Sequence, residues 1–410
     1  MRKMILGLTV GLLVAIAPPV AARIDPVVAA LDVAARPLHA IPGMVGDAEV
    51  VGVGEATHGT REFFLLQRDV FAQLVHAKGF GTFAREVSWS GGLRIDDYVT
   101  RGVGDPAQIM REEFQGNYQW NTAEYLGLVR WMRAYNLRHP GALRFMGDDI
   151  GYPGPQPFER VLDWVRQHRP DIADDVAGLY AGMVPAVGPG QWMLTYPATP
   201  LATRLSYRDR ADTARALLDG ADPWIVQHAT VISQSFTMLA ADFTDPAEVT
   251  AAFNGREKAM ADNVLWWRHH TGDKIVIAGH DGHVSTASYW ENYPSVQGTF
   301  LRQRLGDAYV SVGTTFHHGA FVSYENGQQR TVDAGLPAVT TNEATVDKVG
   351  HTFAIDMRTA PRTARDWLAQ PRPTRQYAEK FPAEPKQIAL GRSFDILVHV
   401  RRSTPARSLP

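Results

Sequence analysis

The feature that most constrains this chain is an alternation, in which short apolar runs recur between long stretches of helical periodicity. Residues 49–53 (EVVGV), 81–87 (GTFAREV), 142–146 (ALRFM) and 274–278 (KIVIA) are bounded by Gly, Asp or Lys and read as buried strands. Two further runs, 308–313 and 394–400, are expected to complete the sheet. Strands separated by helices long enough to cross back over a sheet predict an α/β fold, three-layered, with a mainly parallel sheet flanked by helices. One helix is expected from Thr60, as its cap, to about Ala77, with Gly79 just past its end; another runs from about Thr122 to Leu137. Between 157 and 271 strand signals are nearly absent, which predicts a largely helical insertion.

The two ends differ from this body. Arg2 and Lys3 precede an apolar run over 4–17, and Pro18 and Pro19 lead to Val20, Ala21 and Ala22, so 1–22 reads as a signal peptide cut after Ala22. The mature protein is then expected to be periplasmic or secreted. The apolar run is shorter than the roughly 20 residues of a membrane-spanning helix, and no later charge-free stretch reaches that length, so no membrane span is expected. The folded domain is expected over 23–402, with 403–410 a disordered tail.

Composition removes several classes of chemistry. With 41 Lys plus Arg against 43 Asp plus Glu, a net charge of -2 supplies no attraction for nucleic acid or an anionic membrane. The absence of Cys excludes thiol nucleophiles, disulfides and Cys-ligated metals. There is no GxSxG elbow and no phosphate-binding Walker loop. A dinucleotide fingerprint that starts at Gly52 and Gly54 meets Thr57 where its third Gly belongs, so Gly54 and Gly59 read instead as tight-turn residues.

What remains is His and carboxylate chemistry, and its placement is patterned. Glu55 and His58 follow the first run, Glu86 lies in the second, Asp148 and Asp149 follow the third, and His280 and His283 follow the fourth. Parallel strands bring their carboxyl ends to one edge, so these four segments are expected to converge there on one site. His and carboxylates together suit acid/base catalysis or metal binding. Arg61 stands at a helix start, where a cation is disfavoured unless a carboxylate or anion answers it, whereas Glu62 reads as solvated. Arg85 beside Glu86 admits a structural ion pair. Arg256 precedes the fourth run on a helix, and Trp89, Trp120, Trp192, Trp266 and Trp267 read as core or pocket wall. His317 and His318 are adjacent on a strand and are expected to point to opposite faces.

The segments GEATHGTREFF at 54–64, AEYLGLVRWMRAYN at 123–136, RFMGDD at 144–149, GHDGH at 279–283 and QGTFLRQRLGDAYVSVG at 297–313, with the Arg256, Met260, Asn263 spacing, resemble the erythromycin esterase family in order along most of the chain. The resemblance implies a three-layer α/β fold with a helical insertion and hydrolysis of the lactone ester of 14-membered macrolides, a source of antibiotic resistance. It implies His58 as the base that activates water, Glu55 and Glu86 as its tuning carboxylates, and His280 opposite them, assisting proton transfer or holding the water. Arg61 or Arg256 would stabilise the oxyanion, and Asp149 and His283 would orient substrate or line the pocket. Asp281 stands where the family usually has Asn, and an extra carboxylate there is expected to raise the pKa of His280 or to invite a metal.

The leading expectation is thus an exported carboxylic ester hydrolase that acts on a small-molecule ester, with macrolides foremost, and needs no cofactor or metal. Two alternatives stand beside it. One is a metal-dependent hydrolase with His58, Glu86, His280 and His283 as ligands. The other is a non-catalytic protein that binds haem, lipid or glycan in the same crevice.

Overall fold

A computed structural model of the chain describes residues 25–114, 120–291, 293–325, 328–377 and 381–410. The expected signal peptide lies outside the described residues. The strands are β1 (Val50–Val53), β2 (Phe80–Ser88), β3 (Arg144–Asp149), β4 (Lys274–Ala278), β5 (Tyr309–Glu325), β6 (Gln328–Asp333), β7 (Phe353–Asp356), β8 (Arg372–Thr374), β9 (Lys386–Ile388) and β10 (Ile396–Ser403). The main sheet has the order β3-β2-β4-β1-β5-β10-β7, with β6 paired to β5. Its pairs from β3 to β10 are parallel; β7 runs antiparallel to β10 and β6 antiparallel to β5. It is therefore a mainly parallel mixed sheet flanked by helices.

Alternation along the strands explains why the sheet needs cover on both faces. Val50, Ala84, Ile275 and Ile277 enter one apolar core, which takes in the helices between β3 and β4. Val51, Val53, Phe83, Val276 and Val312 enter the other, with Phe63, Val70, Phe71 and Leu74 of the helix Arg61–Lys78 and Leu128, Val129 and Met132 of the helix Ala123–Asn136. Gly79 ends the helix Arg61–Lys78 in the left-handed conformation, at φ 70°. Thr122 caps the helix Ala123–Asn136 by accepting from the Tyr125 N–H at 3.3 Å. Thr60 makes no such cap; its hydroxyl pairs with that of Thr57 at 2.5 Å. From Gln156 to Thr271 the described chain is a succession of helices that ends in the 26-residue helix Pro246–Thr271.

The expected disordered tail is ordered. Thr404 donates its N–H to Glu62 at 2.7 Å, Arg407 donates to Glu124 at 2.9 Å, and the Ala406 N–H reaches the Gly59 carbonyl at 3.0 Å. Residues 404–410 thus strap the two helix starts to the loop after β1. Glu62, expected to be solvated, is one anchor of this strap.

Candidate active site

The loop after β1 is pinned by its backbone before any side chain is considered. Gly54 N–H donates to Val312 O at 2.8 Å, Glu55 O accepts from Asp281 N–H at 3.0 Å, and Ala56 O accepts from Tyr377 N–H at 3.1 Å. Gly54 and Gly59 serve close approach rather than a tight turn, and neither has a positive φ. A Cβ on Gly54 would lie 1.9 Å from Asp281 Oδ1, and one on Gly59 1.9 Å from Val322 O. Glu55 is wholly buried and His58 nearly so. His58 Nδ1 lies 2.7 Å from Glu55 Oε1, so the ring donates there and carries its basic lone pair on Nε2. Glu55 also accepts from Arg85 Nη2 at 3.0 Å and from Gln67 Nε2 at 3.2 Å.

Arg85 and Glu86 do not pair with each other. Neighbours on a strand face opposite ways: Arg85 faces the helix pair 61–78 and 123–136, and Glu86 faces the helix Pro246–Thr271. The register of β2 against β3 shifts between Arg85 and Ser88, an irregularity of the kind that re-aims side chains at a strand end. Glu86 accepts from the His280 N–H at 2.8 Å and lies 3.1 Å from His283 Nε2. Burial opposes its charge, but His283, His58 and Arg256 hold its carboxyl well below the usual range.

The two histidines after β4 have different states. His280 Nδ1 accepts from the Gly282 N–H at 3.1 Å, so the neutral ring carries its proton on Nε2, near the Ala56 carbonyl but without a well-formed hydrogen bond among the described residues. Burial, with His58 and His283 nearby, pushes the pKa of His280 well below its ordinary value. The ring lies 5.1 Å from that of His58, centre to centre, and stacks on Trp290 at 5.5 Å. His283 is instead gripped at both nitrogens, by Glu86 and by Glu257 at 2.8 Å, and these carboxylates outweigh burial to raise its pKa to about 10. It is a fixed imidazolium.

Arg256 reaches the same cluster. Its Nε and Nη2 grip Asp149 at 2.8 and 2.5 Å, and Nη2 lies 3.9 Å from Glu86. Burial raises the pKa of Asp149, but Arg256 more than offsets this and leaves it below the ordinary value. Asp148 turns away to Gln297 at 2.7 Å, and burial raises its pKa well above the usual range. Arg61 is not brought to the cluster; its partner is Glu124 at 3.2 Å, beside the C-terminal strap. Asp281 does not act on His280 as expected. Its carboxylate is taken by Thr314 N–H at 3.0 Å and Gln376 Nε2 at 2.9 Å, burial raises its own pKa to about 8, and the pKa of His280 moves down.

The family model described as erythromycin esterase matches residues 75–403. The chain belongs to the erythromycin esterase family. Erythromycin esterase type II of Escherichia coli is 25% identical over 309 residues, which cover 69% of this chain and 72% of that protein. Among solved structures, a succinoglycan biosynthesis protein superposes with a TM-score of 0.84 at 27% identity, covering 93% of this chain and 97% of its own. A Bacillus cereus protein gives 0.83 at 28%, covering 94% and 98%. A mutant of the erythromycin esterase EreC in its open conformation gives 0.69 at 15%, covering 90% and 94%, a likeness that shows the fold. At the family level this is a hydrolase of esterase type that takes a small-molecule ester.

As an erythromycin esterase family member, the chain carries site residues that its sequence pattern hides. Glu257 adjoins Arg256 but has no motif of its own; Gln67 sits on an apolar helix face; Trp290 lies in a loop of ordinary composition. Trp120, expected as pocket wall, sets its ring 5.3 Å from that of His58. His317 and His318, expected on opposite faces, bring their Nδ1 atoms within 3.1 Å of each other.

Proposed function

We propose that the protein is an exported esterase that opens the lactone of a macrolide, or a related bulky ester, with water activated by His58. The observation that carries this reading is the 2.7 Å bond from His58 to Glu55, set across from the Nε2–H of His280, whose ring centre lies 5.1 Å from that of His58. One ring is oriented as a proton acceptor and the other as a proton donor. His58 Nε2 takes a proton from water while the hydroxide oxygen bonds to the ester carbonyl carbon. His280 Nε2–H donates to the oxygen that becomes negative, and its buried setting strengthens that hydrogen bond. Collapse of the tetrahedral species breaks the carbon–oxygen ester bond, and the proton held by His58 passes to the leaving alkoxide.

The remaining charges fix these two rings. His283 and Arg256 pair with the three carboxylates of Glu86, Glu257 and Asp149, and Glu86 holds the backbone of His280. The oxyanion role considered for Arg61 does not fit its pairing with Glu124, and Arg256 is engaged by Asp149 as a pocket residue. A metal-dependent route would need His283 as a ligand, yet both its nitrogens donate to carboxylates, and no group of three or more ligand-type residues among the described residues is arranged around an ion position. Export rests on the 1–22 segment.

The test is mass spectrometry of erythromycin, a 16-membered macrolide and simple aryl esters after incubation with wild-type, His58→Ala and EDTA-treated protein. Gain of one water that is lost in the variant and retained with EDTA supports the reading. Loss with EDTA replaces it with the metal-dependent route, and no product from any ester removes it.

A further inference from the structure

Arg85 touches the His58–Glu55 pair at the atom that joins them. Glu55 Oε1 accepts from His58 Nδ1 at 2.7 Å and from Arg85 Nη2 at 3.0 Å, while Gln67 takes the other oxygen. Trp120 Nε1 reaches the same Oε1 at 3.4 Å, and donors that share one oxygen draw on the same electron density, so each weakens the others' hold. Arg85 has no second carboxylate within ion-pair distance among the described residues. Its guanidinium is 1% exposed and lies 4.5 Å from the ring centre of Trp120 and 4.9 Å from that of Tyr125. Its Nε and Nη1 have no hydrogen-bond partner among the described residues. A cation stripped of water this far, and facing one carboxylate, acts on that carboxylate.

We propose that Arg85 is a positioning residue for His58, which by sharing Glu55 Oε1 holds that carboxylate in place and lowers the affinity of His58 for a proton, so that the ring stands ready to accept one from water. This rests on the reading of His58 as the base. The groups around His58 show why a counter-charge is needed. Glu55 comes from its own loop, Glu86 and Arg85 from β2, Tyr125 from the helix Ala123–Asn136, Gln67 from the helix Arg61–Lys78, His280, Asp281 and His283 from the turn after β4, and Arg256 and Glu257 from the helix Pro246–Thr271. The cations His283 and Arg256 are held by three carboxylates, Glu86, Glu257 and Asp149, which outnumber them. Arg85 is the one cation among the described residues in ion-pair contact with Glu55 besides His58; the other donors to it, Gln67 and Trp120, are neutral.

Two cations that donate to one acceptor oxygen from different sides, about 5 Å apart, repel at an effective dielectric constant near 20 by the equivalent of about 2 pH units in the titration of the pair. The experiment is a titration of the ¹⁵N-histidine-labelled full chain by NMR, with the His58 signals assigned by their loss in His58→Gln. Arg85→Met and Arg85→Gln should raise the His58 midpoint by about 1–2 pH units, whereas Arg85→Lys, which keeps the charge, should stay near wild type. The acidic limb of kcat/KM for p-nitrophenyl acetate should move with it. A purely structural role would lower kcat and leave both midpoints in place, and that result overturns the proposal, as does failure of both neutral variants to fold. The NMR midpoint needs no turnover, so a shift in a protein that hydrolyses no ester would sink the esterase reading and leave the tuning by Arg85 standing.

Discussion

The imidazolium at His283 makes a prediction about stability that can be worked from its contacts. Its two nitrogens donate to Glu86 and Glu257, its side chain is 7% exposed, and its pKa rises from 6.5 to about 10 on folding. A pKa raised in the folded state stabilises fully below the unfolded value and is lost as pH climbs through the folded one. The interval here is 6.5 to about 10, and at about 1.4 kcal/mol per pH unit the linkage amounts to about 5 kcal/mol at most. Removing one member of a buried pair costs about 3–5 kcal/mol by independent precedent, so the two scales agree. His283→Gln should therefore be destabilised by about 3–5 kcal/mol at pH 6, and the deficit should shrink steadily towards pH 10. Urea unfolding of both proteins at half-unit pH steps, followed by tryptophan fluorescence, measures that difference and cancels groups common to both, Asp281 among them. A deficit that stays constant, or grows, between pH 6.5 and 10 would refute the fixed-cation assignment.

Three further outcomes follow from the same geometry. His58→Ala should lose about 10²- to 10⁴-fold in kcat for ester hydrolysis, measured where the urea curve shows it folded, and a folded variant with normal turnover would remove His58 as the base. His280→Phe should lose about 10²- to 10³-fold in kcat, and His280→Gln, which keeps a donor, should lose less; equal losses would deny His280 the oxyanion role. Asp281 has a folded pKa of about 8 against 3.8, raised first by burial, so its contribution to stability is full below pH 3.8 and is lost as pH rises from there through about 8. Asp281→Asn should accordingly differ least from wild type in stability below pH 4 and gain on it steadily up to about pH 8, with no further change at pH 9, in the same urea assay.

Much of the scaffold was legible in sequence because its strands are buried on both faces. The runs at 49–53, 81–87, 142–146 and 274–278 each meet β1 to β4 within two or three residues, since a continuous apolar stretch between Gly and charged residues has few other uses. The run at 308–313 marks only the start of its strand: β5 continues to Glu325, past the common edge, and pairs there with β6. The tail misled because Thr404 and Arg407 are anchored by Glu62 and Glu124, which lie hundreds of residues away in the chain. Arg61 misled for a related reason. The need of a helix-start cation for a carboxylate was visible, but the carboxylate proved to be Glu124 rather than a group in the crevice.

The sequence by itself determined the order of strands and helices and the gathering of Glu55, His58, Glu86, Asp149, His280 and His283 at one edge, because parallel strands with crossover helices must share a carboxyl edge. Only the tertiary structure decided what each group is. Protonation depends on which atoms lie within about 3 Å after burial, and those neighbours come from other segments. Two histidines three residues apart thus became a neutral donor, His280, and a fixed cation, His283, because a backbone N–H meets one ring and Glu257 and Glu86 meet the other.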